Sequence, residues 1–284
     1  MKLSPFQLHR PQDLPETAAL MERNQDDAVL YAGGTELLLV MKLGLADHGH
    51  LVDIKGIPEL HRLEVEGGDL VIGGCVTHRE LERSELVRRH LPALAEMERG
   101  VANVRVRVSG TLGGNLAFAD PHSDPATFLL AVGAVLEVRG AAGTRAMPMG
   151  DFILGPYHTV LEPGDLIAAV RVPLPPQGTA IAHRKLAFHE RPAVTVTCVL
   201  SPAPGGGIAR ASVAVGSVGL TPMRLPAAEA VLAGGGGAGD QLQAAAAGEC
   251  LPTADANGAV DYKRHLVGVL VRRAAADALA ELGG

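Results

Sequence analysis

Residues 32–37 read AGGTEL and residues 110–115 read GTLGGN. Each stretch sets a Gly-Gly pair and a threonine between an apolar run and a helix-like segment. Glycine lets backbone N–H groups approach an anion with no Cβ in the way, and a helix start adds unpaired donors and a positive dipole end. Thr35 and Thr111 place a hydroxyl beside each turn. Neither stretch carries the lysine of a P-loop or the GxGxxG spacing of a dinucleotide fold. One such turn reads most simply as a tight turn at a strand end. Two of them, each feeding a helix, are compatible with a cradle that grips a pyrophosphate from both sides.

The stretch after the second turn, NLAFADPHSDPATFLL, holds Asn115, Asp120, Ser123 and Asp124 on a path kept irregular by Pro121 and Pro125. Ser123 or Asp124 suits a helix N-cap with Pro125 in the first turn. A capping carboxylate can also accept hydrogen bonds from ribose hydroxyls, so the two roles do not exclude each other. Metal chemistry on this chain is not expected. Cys75, Cys198 and Cys250 are too few and too scattered for a disulfide framework or a zinc or iron-sulfur site, and no HExxH occurs. They read as small buried residues.

The elements that must position these residues fall into three regions, 1–60, 61–177 and 178–284. In the first, AVLYAGG ends a short strand in glycines and TELLLVMKLG reads as a helix with Thr35 as N-cap and Gly44 beyond its end. LVDI is the next strand, which makes a βαβ unit with parallel pairing and a right-handed crossover. The second region opens with a hairpin, LEVEGGDLVIGG, turning at Gly67-Gly68. A helical stretch from Thr77 follows, with Glu80 as capping-box partner. DPATFLLAVGAVLEVRG then gives a helix and a strand, and DLIAAVRVPLP another strand. In the third region AVTVTCVLS and IARASVAVGSVG read as an antiparallel pair. Two helices follow, through AAEAVL and through YKRHLVGVLVRRAAADALAEL, joined by the flexible GGGGAG of 234–239.

Composition narrows the partners. With 47% hydrophobic and 20% charged residues the 284-residue chain has the balance of a folded globular protein. A net charge of -6 and no Lys/Arg-rich block remove the electrostatic footprint of a nucleic-acid binder. No apolar segment approaches a membrane span, and the start lacks a signal-peptide h-region, so a cytoplasmic protein without an integral membrane segment is expected.

The motifs AGGTELLLVMKLG, LVDIKGIPEL, LVIGGCVTHREL, VRVSGTLGGNLAFADPHSDPATFLLAVGAVLEVRG and DLIAAVRVPLP, in that order, resemble the FAD-binding medium subunit of the molybdenum hydroxylases, the family of carbon monoxide dehydrogenase and xanthine dehydrogenase. The similarity continues through HRKLAFHERPAVTVTCVL, VAVGSVGLTPMRLPAAEAVL and YKRHLVGVLVRRA, essentially the whole chain.

The resemblance implies an α+β protein. A two-lobed α/β FAD-binding domain of the PCMH/VAO type would precede a C-terminal domain with a three-stranded antiparallel sheet and helices. FAD would lie extended between the lobes. Ala32, Gly33, Gly34, Thr35, Glu36 and Leu37 would line the first loop, and Thr111, Gly114 and Asn115 the second. Ser123 and Asp124 would face the adenosine or ribitol side. Ile167 falls where the family places an aliphatic residue against the cofactor, and Lys185 where it places a lysine near the flavin. A cation there would favour the negative charge of a reduced ring; without the resemblance Lys185 reads equally as an exposed strand charge. Where many members carry Asp followed by an aromatic or aliphatic residue, this chain has Arg191-Pro192.

The resemblance further implies a small iron-sulfur subunit with [2Fe-2S] clusters and a large molybdopterin subunit as partners, in a dimer of heterotrimers. Electrons would pass through FAD to an external acceptor, with no acid, base or nucleophile on this chain acting on the carbon substrate. The insertion and cysteines of the thioester-reducing branch are missing. Two other readings stay open at this point: a stand-alone FAD oxidoreductase of the vanillyl-alcohol-oxidase type and a cofactor-free structural subunit.

Overall fold

The computed structural model describes residues 3–188 and 190–283. The chain starts with β1 (Gln7–His9), α1 (Leu14–Asn24), β2 (Ala28–Tyr31), α2 (Leu37–Lys42) and β3 (His50–Asp53). Asp13 caps α1 by accepting from the Glu16 amide at 2.8 Å. The strands form a parallel sheet of order β1-β3-β2, with Ala28 opposite His50 and Tyr31 opposite Asp53. The parallel β2–β3 pairing is as the βαβ pattern requires; β1, outside that unit, adds the third strand. Thr35 does not cap α2. The helix begins two residues later, with Glu36 in the cap position and no side-chain cap bond, because residues 32–36 are held as a loop against another part of the chain.

A second sheet takes β4 (Leu63–Glu66), β5 (Asp69–Gly73), β6 (Val135–Gly140), β7 (Gly143–Pro148) and β10 (Leu166–Pro173), in the order β4-β5-β10-β6-β7. Its pairs are antiparallel, and the β4–β5 hairpin turns at Gly67-Gly68. Between β5 and β6 lie α3 (His78–Arg83), α4 (Glu85–His90), α5 (Pro92–Arg99), α6 (Val104–Ser109), α7 (Leu112–Phe118) and α8 (Asp124–Val132). The Thr77–Glu80 capping box is present at α3. The segment from 77 to 99 is nevertheless three helices. Ser84 leaves the helical region to cap α4, and Pro92 cannot continue the helix before it. Leu81, Val87, Leu94, Leu112, Phe128 and Val170 are all buried in one core between these helices and the sheet. Short elements α9 (Met149–Phe152), β8 (Ile153–Gly155) and β9 (His158–Thr159) lead towards β10.

The third sheet is antiparallel, β11 (Ala180–Ala187), β12 (Pro192–Pro202), β13 (Ile208–Gly216) and β14 (Met223–Arg224), in chain order. Three strands are long, as expected, and the two-residue β14 extends them to four. It carries α10 (Pro226–Ala233), α11 (Asp240–Glu249) and α12 (Val260–Gly283). The glycines of 234–239 therefore join α10 to α11, a helix the sequence pattern does not announce. Its sequence DQLQAAAAGE buries only Leu242 and Ala246, too narrow a stripe to show as periodicity. Among the described residues no helix is long and apolar enough to cross a membrane, and no cluster of His, Cys, Asp and Glu could hold a metal ion.

Candidate functional site

The three parts of the fold meet around one cavity of about 640 Å³, within the roughly 300–1,000 Å³ of cofactor-sized pockets. Its first wall is the loop between β2 and α2. A Cβ on Gly33 would collide with the Ser109 carbonyl at the end of α6, and Gly34 takes φ +69°, so this loop packs tightly onto the second part of the chain.

The facing wall is the start of α7. Thr111 pairs with Thr77 and caps the helix, its Oγ1 accepting from the Gly114 amide at 3.1 Å. The Gly-Gly pair of GTLGGN is thus in the first turn of a helix rather than in a turn ahead of one. Their two inner members differ in task. Gly113 donates its amide to the Gly74 carbonyl at 3.0 Å, and a Cβ there would sit 2.6 Å from that oxygen. Gly114 has only the Thr111 hydroxyl near its Cβ position, at 2.9 Å, and otherwise opens onto the cavity.

Asn115 accepts at Oδ1 from the Ser123 hydroxyl, 2.6 Å away. That bond takes Ser123 out of the side-chain capping role its position at the start of α8 offers. Asp124, 4% exposed, opens α8. Its Oδ2 accepts from Lys185 Nζ at 2.8 Å, while Oδ1 is buried with no hydrogen-bond partner; His183 Nε2, 3.7 Å off, is too distant to donate. Burial pushes the carboxyl's pKa up, but His183 and Lys185 outweigh burial and hold it below the usual carboxylate range. Ile167 lines the floor at the bulge where β10 shifts register against β6.

Every residue singled out by sequence lines this cavity except Lys185. Lys185 lies behind the wall, where Nζ also donates to the Gly100 carbonyl at 2.5 Å. Its charge is matched by Asp124 instead of facing the cavity.

The cavity also holds groups that sequence reasoning missed. His78, 2% exposed, follows the Thr77 cap, and its Nδ1 lies 2.7 Å from Oε2 of the fully buried Glu98. The capping pattern hid it, because THRE already has a complete structural reading. His122 stands 3.5 Å from Asp120 and 3.0 Å from Asp255, which in turn accepts from the buried Lys263 at 2.6 Å. The bond to Asp120, with Asp255 behind it, raises the His122 pKa against the effect of burial. Burial alone would raise the Asp120 pKa, but His122 and Arg191 lower it. Arg191 and Pro192, at the turn from β11 to β12, form the third wall.

The site is therefore a cleft with the glycine-rich first turn of α7 on one side, its amides already bonded within the chain, a glycine loop on the other and an apolar floor. It suits a long ligand with an anionic middle. Its unpartnered buried carboxylate oxygen, Asp124 Oδ1, calls for a ligand that donates hydroxyl hydrogens. The nucleotide half of FAD has both features, so the residues present fit that cofactor.

Comparison with known proteins agrees with this geometry. Residues 4–175 match the family described as the FAD binding domain in molybdopterin dehydrogenase, and residues 169–278 the CO dehydrogenase flavoprotein C-terminal domain. The chain is 34% identical to the carbon monoxide dehydrogenase medium chain of Afipia carboxidovorans, over 95% of each chain. It is 32% identical to the nicotine 6-hydroxylase medium subunit of Paenarthrobacter nicotinovorans, over 98% of this chain and 99% of that one. Among solved structures it superposes on carbon monoxide dehydrogenase from Hydrogenophaga pseudoflava, in a form lacking the Mo-pyranopterin moiety, with TM-score 0.93 and 35% identity over 99% of both chains.

Proposed function

The chain belongs to the family of FAD-binding medium subunits of molybdenum hydroxylases, and from that premise we propose that it is the electron-transfer subunit of such an enzyme. Electrons released at a molybdenum centre on a large partner subunit would reach the FAD held here through the [2Fe-2S] clusters of a small partner subunit, and leave to an external acceptor. On this reading residues 1–60 and 61–177 are the two FAD-binding lobes and 178–284 the C-terminal domain, working in a cytoplasmic dimer of heterotrimers. The observation that carries the reading is the meeting of the two glycine segments, nearly eighty residues apart, across one cofactor-sized cavity.

Each wall has a distinct task. The loop from Ala32 to Leu37 would offer backbone donors to the pyrophosphate, and the α7 start the Thr111 hydroxyl and the Asn115 side-chain amide, with Gly114 leaving room for close approach. Ser123 and Asp124 take the sugar hydroxyls, with Lys185 keeping Asp124 ionised and in place from behind. Ile167 supplies apolar contact. None of these groups is placed to act as acid or base on a carbon substrate, so substrate choice rests with a partner chain. The relatives' different printed activities, on carbon monoxide and on nicotine, accord with that division.

The test is purification of the tagged full chain from its native cells, with flavin, iron and molybdenum measured in the eluted complex. Near-equal FAD and molybdenum with about four irons per chain, as two [2Fe-2S] clusters require, is the expected result. A chain that elutes with FAD and neither metal would contradict the proposed partners.

A further inference from the structure

We propose that Arg191 makes an acid-lined cleft acceptable to a diphosphate, by bridging Glu36 and Asp120 and offsetting part of their charge, and so sets the affinity of the site for FAD. The inference rests on the FAD reading and assigns a cofactor-positioning role to the turn between β11 and β12.

The cavity wall carries five carboxylates, Glu36, Asp120, Asp124, Asp165 and Glu190, while Arg191 is its only lysine or arginine among the described residues. A pyrophosphate would add further negative charge to that wall. Three of the carboxylates have a partner outside it. Asp124 has Lys185, Asp165 has Arg145 at 2.5 Å, and Glu190 accepts from the Asn103 amide at 2.7 Å. Glu36 and Asp120 remain, one on each side of the cleft; Asp120 has His122 at 3.5 Å but, among the described residues, no lysine or arginine other than Arg191. Arg191 reaches both. Its Nη2 lies 3.1 and 3.2 Å from the two Glu36 oxygens, and its Nη1 3.0 Å from Asp120 Oδ2.

The geometry needs a fork. A planar guanidinium can engage two carboxylates in different directions, whereas a lysine is a single point charge. Pro192 disfavours a helical backbone at Arg191. Asp120 is 9% exposed, so removing the guanidinium would leave a nearly buried carboxylate with only His122 beside it, next to the position of the pyrophosphate.

The test measures FAD affinity of the apo full chain by fluorescence quenching, at low and high salt, alongside its thermal unfolding. Arg191→Gln should weaken FAD binding by about tenfold or more, with the gap narrowing at high salt. Adding Glu36→Gln and Asp120→Asn to that variant should return affinity to within about twofold of wild type, an outcome that lost packing would not give. If Arg191→Gln fails to fold, Arg191→Lys with Glu36→Gln decides instead, since one ammonium then faces one carboxylate; wild-type affinity is expected. Unchanged affinity in Arg191→Gln, or no recovery when the carboxylates are removed, would overturn the inference. A wild-type chain that binds no FAD would overturn the proposed function itself, and this inference with it.

Discussion

Two adjacent glycines should fail in opposite ways when given a side chain. Gly114→Val sets a Cβ 2.9 Å from Thr111 Oγ1, which must rotate and give up its 3.1 Å bond to the Gly114 amide. A lost N-cap bond costs about 1 kcal/mol, and replacing glycine by valine in a helix returns a few tenths. The net loss stays under about 1 kcal/mol against a stability of roughly 5–15 kcal/mol, so the apo chain should remain folded, with Tm lowered by about 2–4 °C. The valine methyls would stand in the cleft where backbone must meet the pyrophosphate, and FAD retention should fall by about 100-fold or more, which is near 2.7 kcal/mol. Gly113→Val instead drives its Cβ into the Gly74 backbone, and overpacking of that kind costs about 1–3 kcal/mol or more. Flavin content per chain and circular-dichroism melts separate the two. A Gly114→Val chain that keeps stoichiometric FAD would refute the assignment of α7 to the pyrophosphate, and a Gly113→Val chain that melts like wild type would refute the packing argument.

Other expectations follow from the same contacts. Lys185→Met strands the buried Asp124 carboxylate and should cost about 3 kcal/mol in urea unfolding, with Lys185→Met/Asp124→Asn regaining most of it; equal losses in both would show that the pair is not coupled. His122 has a raised native pKa, so its contribution to stability is whole below its unfolded value near pH 6.5 and is lost as pH rises through the higher native one. The stability gap between wild type and His122→Gln should therefore hold steady below about pH 6 and shrink above about 6.5; a gap that widens with pH would contradict the ion-pair chain to Asp120 and Asp255. Burial pushes the Cys75 and Cys198 thiols up to about 12 and raises Cys250. A thiol reagent at neutral pH should find all three cysteines only after denaturation, and fast labelling of the native chain would show that the core around one of them opens.

Local chemistry was the part of this protein that its sequence disclosed best. The Gly67-Gly68 hairpin, the Thr77–Glu80 capping box and the β12–β13 pair each depend on neighbours within a short span, and each formed as read. The errors have a common origin in distant contacts. Thr35 has the residue type of an N-cap, but Gly33 pressing on the end of α6 fixes its loop outside the helix. Helix α11 shows no apolar period because alanines cover it. No expectation fails at Lys185, but its partner Asp124 lies 61 residues earlier and no local pattern shows the pair. The bridge from Arg191 to Glu36 spans 155 residues of sequence, and no local pattern could reveal it. Within the cleft, the glycine loops were legible because backbone approach demands a residue type. The charge pairing around them was not, because an arginine at a turn can face anywhere.

The central claim is that this chain holds FAD between its two glycine segments. Its most direct test is the visible spectrum of the purified full chain, with chromatography of the nucleotide released on denaturation. The account predicts flavin absorption and FAD at close to one per chain. A folded chain that carries no flavin, and takes up none when FAD is added, would contradict it.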